Sequence, residues 1–195
     1  AGVFVGGAAW ENTAADYQWV FDVNVAGIAN GLRAFVPKMM AHGEPAHIVN
    51  TASMAALTTM PFSSVYCMSK AAALHLSECC YKELQISAPQ ISVSVLCPEL
   101  VDTDISKADR NRPQELSAPE DLIETEFSKM TLQAITESTA TGVSPARMAE
   151  KVMNGIVEDR FYLLADDFWH DIALARLDDI RAGENPRMIF GDDAA

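Results

Sequence analysis

No apolar run in these 195 residues reaches the roughly 18 residues that a membrane-spanning helix needs. Cysteine is scarce, and the four thiols, Cys67, Cys79, Cys80 and Cys97, form no C-x-x-C pair. They read as core or near-core residues of a protein in a reducing cytosol rather than as a disulfide or zinc framework. None of His42, His47, His75 and His170 has a second ligand at metal spacing, so no metal site is expected. Positive charge is also short: the net charge of −13 argues against nucleic acid as a partner. That deficit is uneven, with a balance of −2 over residues 1–98 and −11 over residues 99–195. A solvated acidic exterior explains it most simply; an acid-rich lid over a cationic ligand is the other reading. Repeats and low-complexity segments are missing as well.

What is present centres on Tyr66 and Lys70. Four residues apart on a helix, their side chains rise from one face and can meet over one point. A free phenol has a pKa of about 10, too high for proton transfer near neutrality. An ammonium beside it favours the phenolate and is expected to lower that pKa toward the working range. Ser53 adds a hydroxyl able to hydrogen-bond the same substrate oxygen. A lone Tyr-x-x-x-Lys arises by chance; its surroundings give it meaning. Ser53 follows the apolar run from Ala46 to Ala52, which reads as a buried strand, and a second apolar strand leads into Cys97-Pro98-Glu99-Leu100-Val101-Asp102-Thr103. Chemistry in open α/β sheets gathers at the carboxyl ends of such strands.

These residues resemble the short-chain dehydrogenase/reductase family. The resemblance rests on Asn24 within Asp-Val-Asn-Val-Ala-Gly, Ser53 closing Asn-Thr-Ala-Ser, Tyr66 and Lys70, and the Pro-x-x-Val-x-Thr run from Pro98 to Thr103. The opening Ala1-Gly2 looks like the end of the family's Asn-Asn-Ala-Gly signature. Two departures stand out: Glu99 replaces the glycine usual after the proline, and the family's glycine-rich cofactor loop is absent. The resemblance implies an oxidoreductase using NAD or NADP to interconvert a secondary alcohol and a ketone or aldehyde. Asn24, Ser53, Tyr66 and Lys70 would be catalytic. Cofactor contacts would fall to Ala1, Gly2, Thr51, Tyr66, Lys70, Pro98, Val101 and Thr103. It further implies a cytoplasmic homodimer or homotetramer acting on a small alcohol or carbonyl compound, with no nucleic-acid or membrane partner. The chain is expected to be N-terminally truncated, to lack the first mononucleotide-binding half, and so to bind cofactor weakly by itself. The rival reading is a non-catalytic truncated homologue serving as a dimerisation or regulatory subunit.

Along the chain, Asn12 or Thr13 caps a first helix, and Tyr17, Val20, Phe21, Asn24, Ile28, Leu32, Phe35 and Met39 recur at helical spacing as one long buried stripe. Pro37 should bend its last turns and Gly43 close them. Asn24 is an odd amide on that stripe: either it bonds neighbouring backbone at a kink, or, as the resemblance implies, the helix is disturbed there and Asn24 holds a water of the proton relay. The apolar members of the loop with Met54, Met60, Pro61 and Phe62 either line a substrate pocket or pack the loop itself. Ser63 or Ser64 caps the helix carrying Tyr66 and Lys70, which runs to about Gln85. Gln90–Leu96 is a second strand. Residues 102–118 read as polar and irregular, and Pro119 to about Glu137 as one helix or two short ones, making 102–140 a substrate lid. Ser144-Pro145 starts another helix, Phe161–Ala165 is a third strand, and Asp166 caps the last helix. Strands alternating with helices imply a parallel sheet. The fold class is α/β, a single partial Rossmann-like domain over residues 1–195 with three strands.

Overall fold

The computed structural model describes residues 2–117, 125–165 and 167–188. Three strands, β1 (Ala46–Thr51), β2 (Ile91–Cys97) and β3 (Tyr162–Leu164), form one parallel sheet in the order β1-β2-β3. The register pairs Ala46 with Ile91 and Thr51 with Leu96 on one side of β2, and Leu96 with Leu163 on the other. Among the described residues β1 therefore has a hydrogen-bonded neighbour on one edge only. Helices bridge the strands as the alternating pattern requires.

The first helical stretch is continuous but not uniform. Helix α1 (Ala14–Phe21) starts at Thr13, whose side chain accepts from the Asp16 backbone while the Asp16 carboxylate accepts from the Thr13 backbone. A π turn occupies Asp22–Ala26, and α2 runs from Gly27 to His42, through Pro37 and up to a left-handed Gly43. The expected stripe is buried at Val20 and Asn24, partly buried at Tyr17 and Phe21, and fades afterwards; Trp19, outside that stripe, is buried. No residue of α2 is buried, and Phe35 is 60% exposed. Ile28, Leu32, Val36 and Met39 pack only partly against the core, because the face of β1 beside them opens into a shallow apolar groove.

Helix α3 (Ser64–Ser87) lies against the sheet and buries Ala73, Leu74, Cys80 and Leu84 against Ile91, Val93, Val95 and Cys97 on one face of β2, while Val65 packs with Val3, Trp19 and Val20. Ser63 stands at its N-cap position without a capping side-chain bond. The stretch expected to be irregular contains two 3-10 segments, Asp104–Asn111 and Gln114–Leu116. Arg112 organises it by reaching Asp16 at 2.6 Å, donating to Leu116 O and lying over the Trp19 ring. Helix α4 (Glu126–Ala140) has Thr125 as its cap; the earlier part of the stretch expected to be helical, with Pro119 and Leu122, lies outside the described residues. Helix α5 (Pro145–Val157) starts with Ser144 capping and proline in its first turn, and α6 spans Asp167–Ala182. The expected Asp166 cap also lies outside the described residues.

Candidate active site

The carboxyl ends of β1 and β2 stay paired beyond the regular sheet. Ala52 donates to Leu96 O at 2.8 Å and Met54 to Pro98 O at 2.9 Å, so the loops after the two strands leave side by side. Ser53 stands in this seam. Its hydroxyl accepts from the Ala55 backbone at 3.2 Å, capping a short 3-10 turn, and reaches Pro98 O at 3.5 Å. The first turns of α3 then bring Tyr66 and Lys70 over the same rim. The second loop is pinned from outside: Val143 donates to Leu100 O and Asp102 to Val143 O. Gly142 makes that approach possible, since a Cβ there would lie 2.6 Å from Leu100 O.

The electrostatics follow from burial. Lys70 is 3% exposed, and desolvation lowers its pKa from 10.5 to about 8, with the nearby Cys97 opposing the change. Its Nζ donates to Thr51 O at 3.3 Å and lies 5.6 Å from the centre of the Tyr66 ring. Burial pushes the Tyr66 phenol up to about 12; a hydrogen bond with the Ser53 side chain pulls the other way. The expectation that Lys70 brings the phenol toward neutrality is thus not met here. The amine is aimed at Thr51 O and is itself short of solvent, so dehydration of the phenol outweighs its field. At neutral pH Tyr66 holds its proton. The phenol is in contact with Ser53, and all three side chains face one space.

Asn24 is 2% exposed and fully engaged. Its amide accepts from Val3 N at 2.9 Å and donates to Val3 O at 3.0 Å, pairing like a strand with the segment after Gly2. It also donates to Ser69 Oγ at 3.0 Å, and Ser69 donates to Tyr66 O at 2.8 Å. The disturbed helix expected at Asn24 is the π turn, which swings this amide inward. Ser69 has no periodic or compositional mark, yet it ties Asn24 to the turn that bears Tyr66.

A cavity of about 490 Å³ joins these parts. Gly2, Thr51, Ser53, Tyr66, Lys70, Pro98, Val101 and Thr103 line it; Asn24 stands behind the wall, and Ala1 lies outside the described residues. Met54 and Met60 contribute. Pro61 and Phe62 do not: Phe62 turns away in a left-handed conformation (φ 58°) and stacks on Phe127 of α4, ring centres 4.3 Å apart. Met148 and Trp169 from distant helices also line the cavity, which no local pattern announced. The donor set fits a nicotinamide dinucleotide. A lysine ammonium carries three donors, and among the described residues Thr51 O is the hydrogen-bond acceptor Lys70 meets, so capacity remains toward the cavity. Among the described residues no cluster of side chains suited to a metal occurs, and no helix is long and apolar enough to cross a membrane.

The family model described as short chain dehydrogenase matches residues 1–114. The C alpha-dehydrogenase of a Sphingobium species is 31% identical over 164 residues, covering 84% of this chain and 52% of that protein. The 1-deoxy-11-beta-hydroxypentalenate dehydrogenase of Streptomyces exfoliatus is 31% identical over 182 residues, covering 87% and 58%. The chain thus spans somewhat more than half the length of the curated relatives it matches. Among solved structures, a short chain dehydrogenase/reductase from Burkholderia phymatum in complex with NAD is 35% identical. It superposes with a TM-score of 0.95 over 98% of this chain and 68% of its own.

Proposed function

The chain belongs to the short chain dehydrogenase family, and on that premise we propose that it carries the catalytic and substrate part of an NAD- or NADP-dependent oxidoreductase interconverting a secondary alcohol and a ketone or aldehyde. The observation that carries this reading is the convergence of Ser53, Tyr66 and Lys70 on one cavity at the carboxyl ends of β1 and β2. A nicotinamide ring would give or take the hydride. Lys70 Nζ holds the ribose hydroxyls with the donors not spent on Thr51. Backbone from Pro98 to Val101 and the Thr103 hydroxyl hold the carboxamide, and Gly2 keeps the opposite wall open. Ser53 Oγ fixes the substrate oxygen, and Tyr66 donates its proton to that oxygen in reduction or takes one in oxidation. Asn24, by locking the segment after Gly2 against α3, maintains the water path through which Lys70 regains its proton. Residues 102–140 act as a lid that excludes solvent from the apolar wall.

The phenol raised to about 12 holds its proton at neutrality, which suits reduction. Oxidation requires the phenolate and accelerates as pH rises. Free buried cysteines fit a cytoplasmic setting, and the part-exposed flank of α2 with α3 offers a contact for a second copy. The test is a panel of secondary alcohols and ketones offered to the full natural protein with each dinucleotide, followed by nicotinamide absorbance. Turnover of at least one compact apolar pair is expected; none across the panel with either dinucleotide contradicts the reading.

A further inference from the structure

Phe4 is 5% exposed and meets Tyr66 edge-on, with ring centres 5.2 Å apart at 63°. It also borders a second cavity of about 540 Å³, and among the described residues it is the one side chain that lines both. The two spaces differ in chemistry. Met54, Met60, Ile135 and Met148 wall much of the first, which Asp104 and Arg110 also line; the second presents Glu11, Asn12, Thr13, Ser128 and Lys129 beside Val5 and Leu132. Helix α4 runs along both, placing Ile135 and Thr139 in the first and Leu132 and Thr136 in the second. A Cβ built on Gly6 would stand 3.5 Å from Phe4 Cε1 and 3.0 Å from Thr131 Cβ, so chain and α4 are closed tightly beside it.

Building on the dehydrogenase reading, we propose that Phe4 determines specificity in this site: its ring is a partition that restricts the substrate to a compact apolar alcohol or ketone. A substrate with a long, hydrogen-bonding tail passes into the second cavity only when the ring is removed. The energetic basis is steric. Extra substrate atoms meet the buried aromatic ring before they reach the second cavity, and displacing that ring also uncovers the Tyr66 phenol.

The experiment compares acetophenone, as the compact probe, with an acetophenone carrying a para alkoxy chain that ends in a hydroxyl. Both are offered to the full natural protein and to its Phe4→Ala and Phe4→Trp variants. The ratio of kcat/KM for the extended over the compact ketone should rise by about tenfold or more in Phe4→Ala and not rise in Phe4→Trp. Phe4→Leu serves if the alanine variant fails to fold, with a smaller rise expected. Crystals of Phe4→Ala soaked with the extended ketone should show its hydroxyl end beside Glu11 and Lys129. An unchanged ratio, or a tail directed to solvent, overturns the partition. Loss of all turnover in the parent protein refutes the dehydrogenase reading instead; the soaked crystals and the dissociation constants of the two ketones still decide on Phe4 by themselves.

Discussion

Lys70 holds its charge where water is scarce, and the fold bears the cost. A pKa lowered from 10.5 to about 8 corresponds to about 3 kcal/mol of destabilisation while both folded and unfolded chains are protonated, that is below pH 8. Between pH 8 and 10.5 the folded amine is neutral and the unfolded one still charged, so the penalty declines as pH rises. Lys70→Met should therefore stabilise the protein near pH 7 by about 2–3 kcal/mol, less whatever its bond to Thr51 contributed. That advantage should shrink toward zero near pH 10. Urea unfolding of both forms at the two pH values checks this; an advantage independent of pH would show that burial does not bear on the amine. That Tyr66 and Lys70 share a face was readable from their spacing, because helix geometry fixes it; Ser53 joined them through its place after an apolar strand and through the resemblance to the family. The direction of the phenol's pKa was not readable. It depends on how completely Tyr66 is enclosed, and Phe4 comes from a segment with no periodic link to α3.

At the scale of elements, two devices hold the site in shape. The π turn at Asp22–Ala26 points Asn24 at Val3 and Ser69. Asn24→Ala leaves the buried Val3 amide without its acceptor and should cost about 1–3 kcal/mol. Equilibrium denaturation reads that directly, and a loss under about 0.5 kcal/mol would mean water replaces the amide freely. The second device is the contact of the loop before α3 with α4. Phe62 sits at φ 58°, a conformation that costs a bulky residue of order 1–3 kcal/mol, and its stack on Phe127 offsets part of that. Thr125 adds a hydrogen bond to Glu11 at 2.9 Å. Phe127→Ala should speed amide hydrogen exchange across α4 while leaving the sheet unchanged; equal exchange in both forms would show that the stack does not hold α4 in place. The helices and strands themselves were legible to within a few residues, since Ser144-Pro145, Gly43 and the β-branched run before Cys97 are local signals. The stack of Phe62 on Phe127 and the Arg112–Asp16 pair join segments far apart in sequence, and such pairings leave no trace in hydrophobic period.

The described residues form a three-stranded parallel sheet with β1 at one edge, bordered by a part-apolar groove under α2. Alternation of strands and helices made this architecture legible, while the thinning of the α2 stripe was not, because burial depends on what covers the far side of β1. Among the described residues no glycine-rich strand–turn–helix stands beside β1 to receive a pyrophosphate. The 195-residue polypeptide made by itself should accordingly bind NAD and NADP more weakly than micromolar; calorimetry giving a micromolar Kd would refute that expectation. The account as a whole depends on the phenol of Tyr66 carrying the proton. Its most direct test is Tyr66→Phe in the full natural protein, with dinucleotide affinity and steady-state turnover measured on the same preparation. Near-parental affinity together with turnover reduced by at least about a thousandfold is expected. Turnover close to that of the parent would contradict the account.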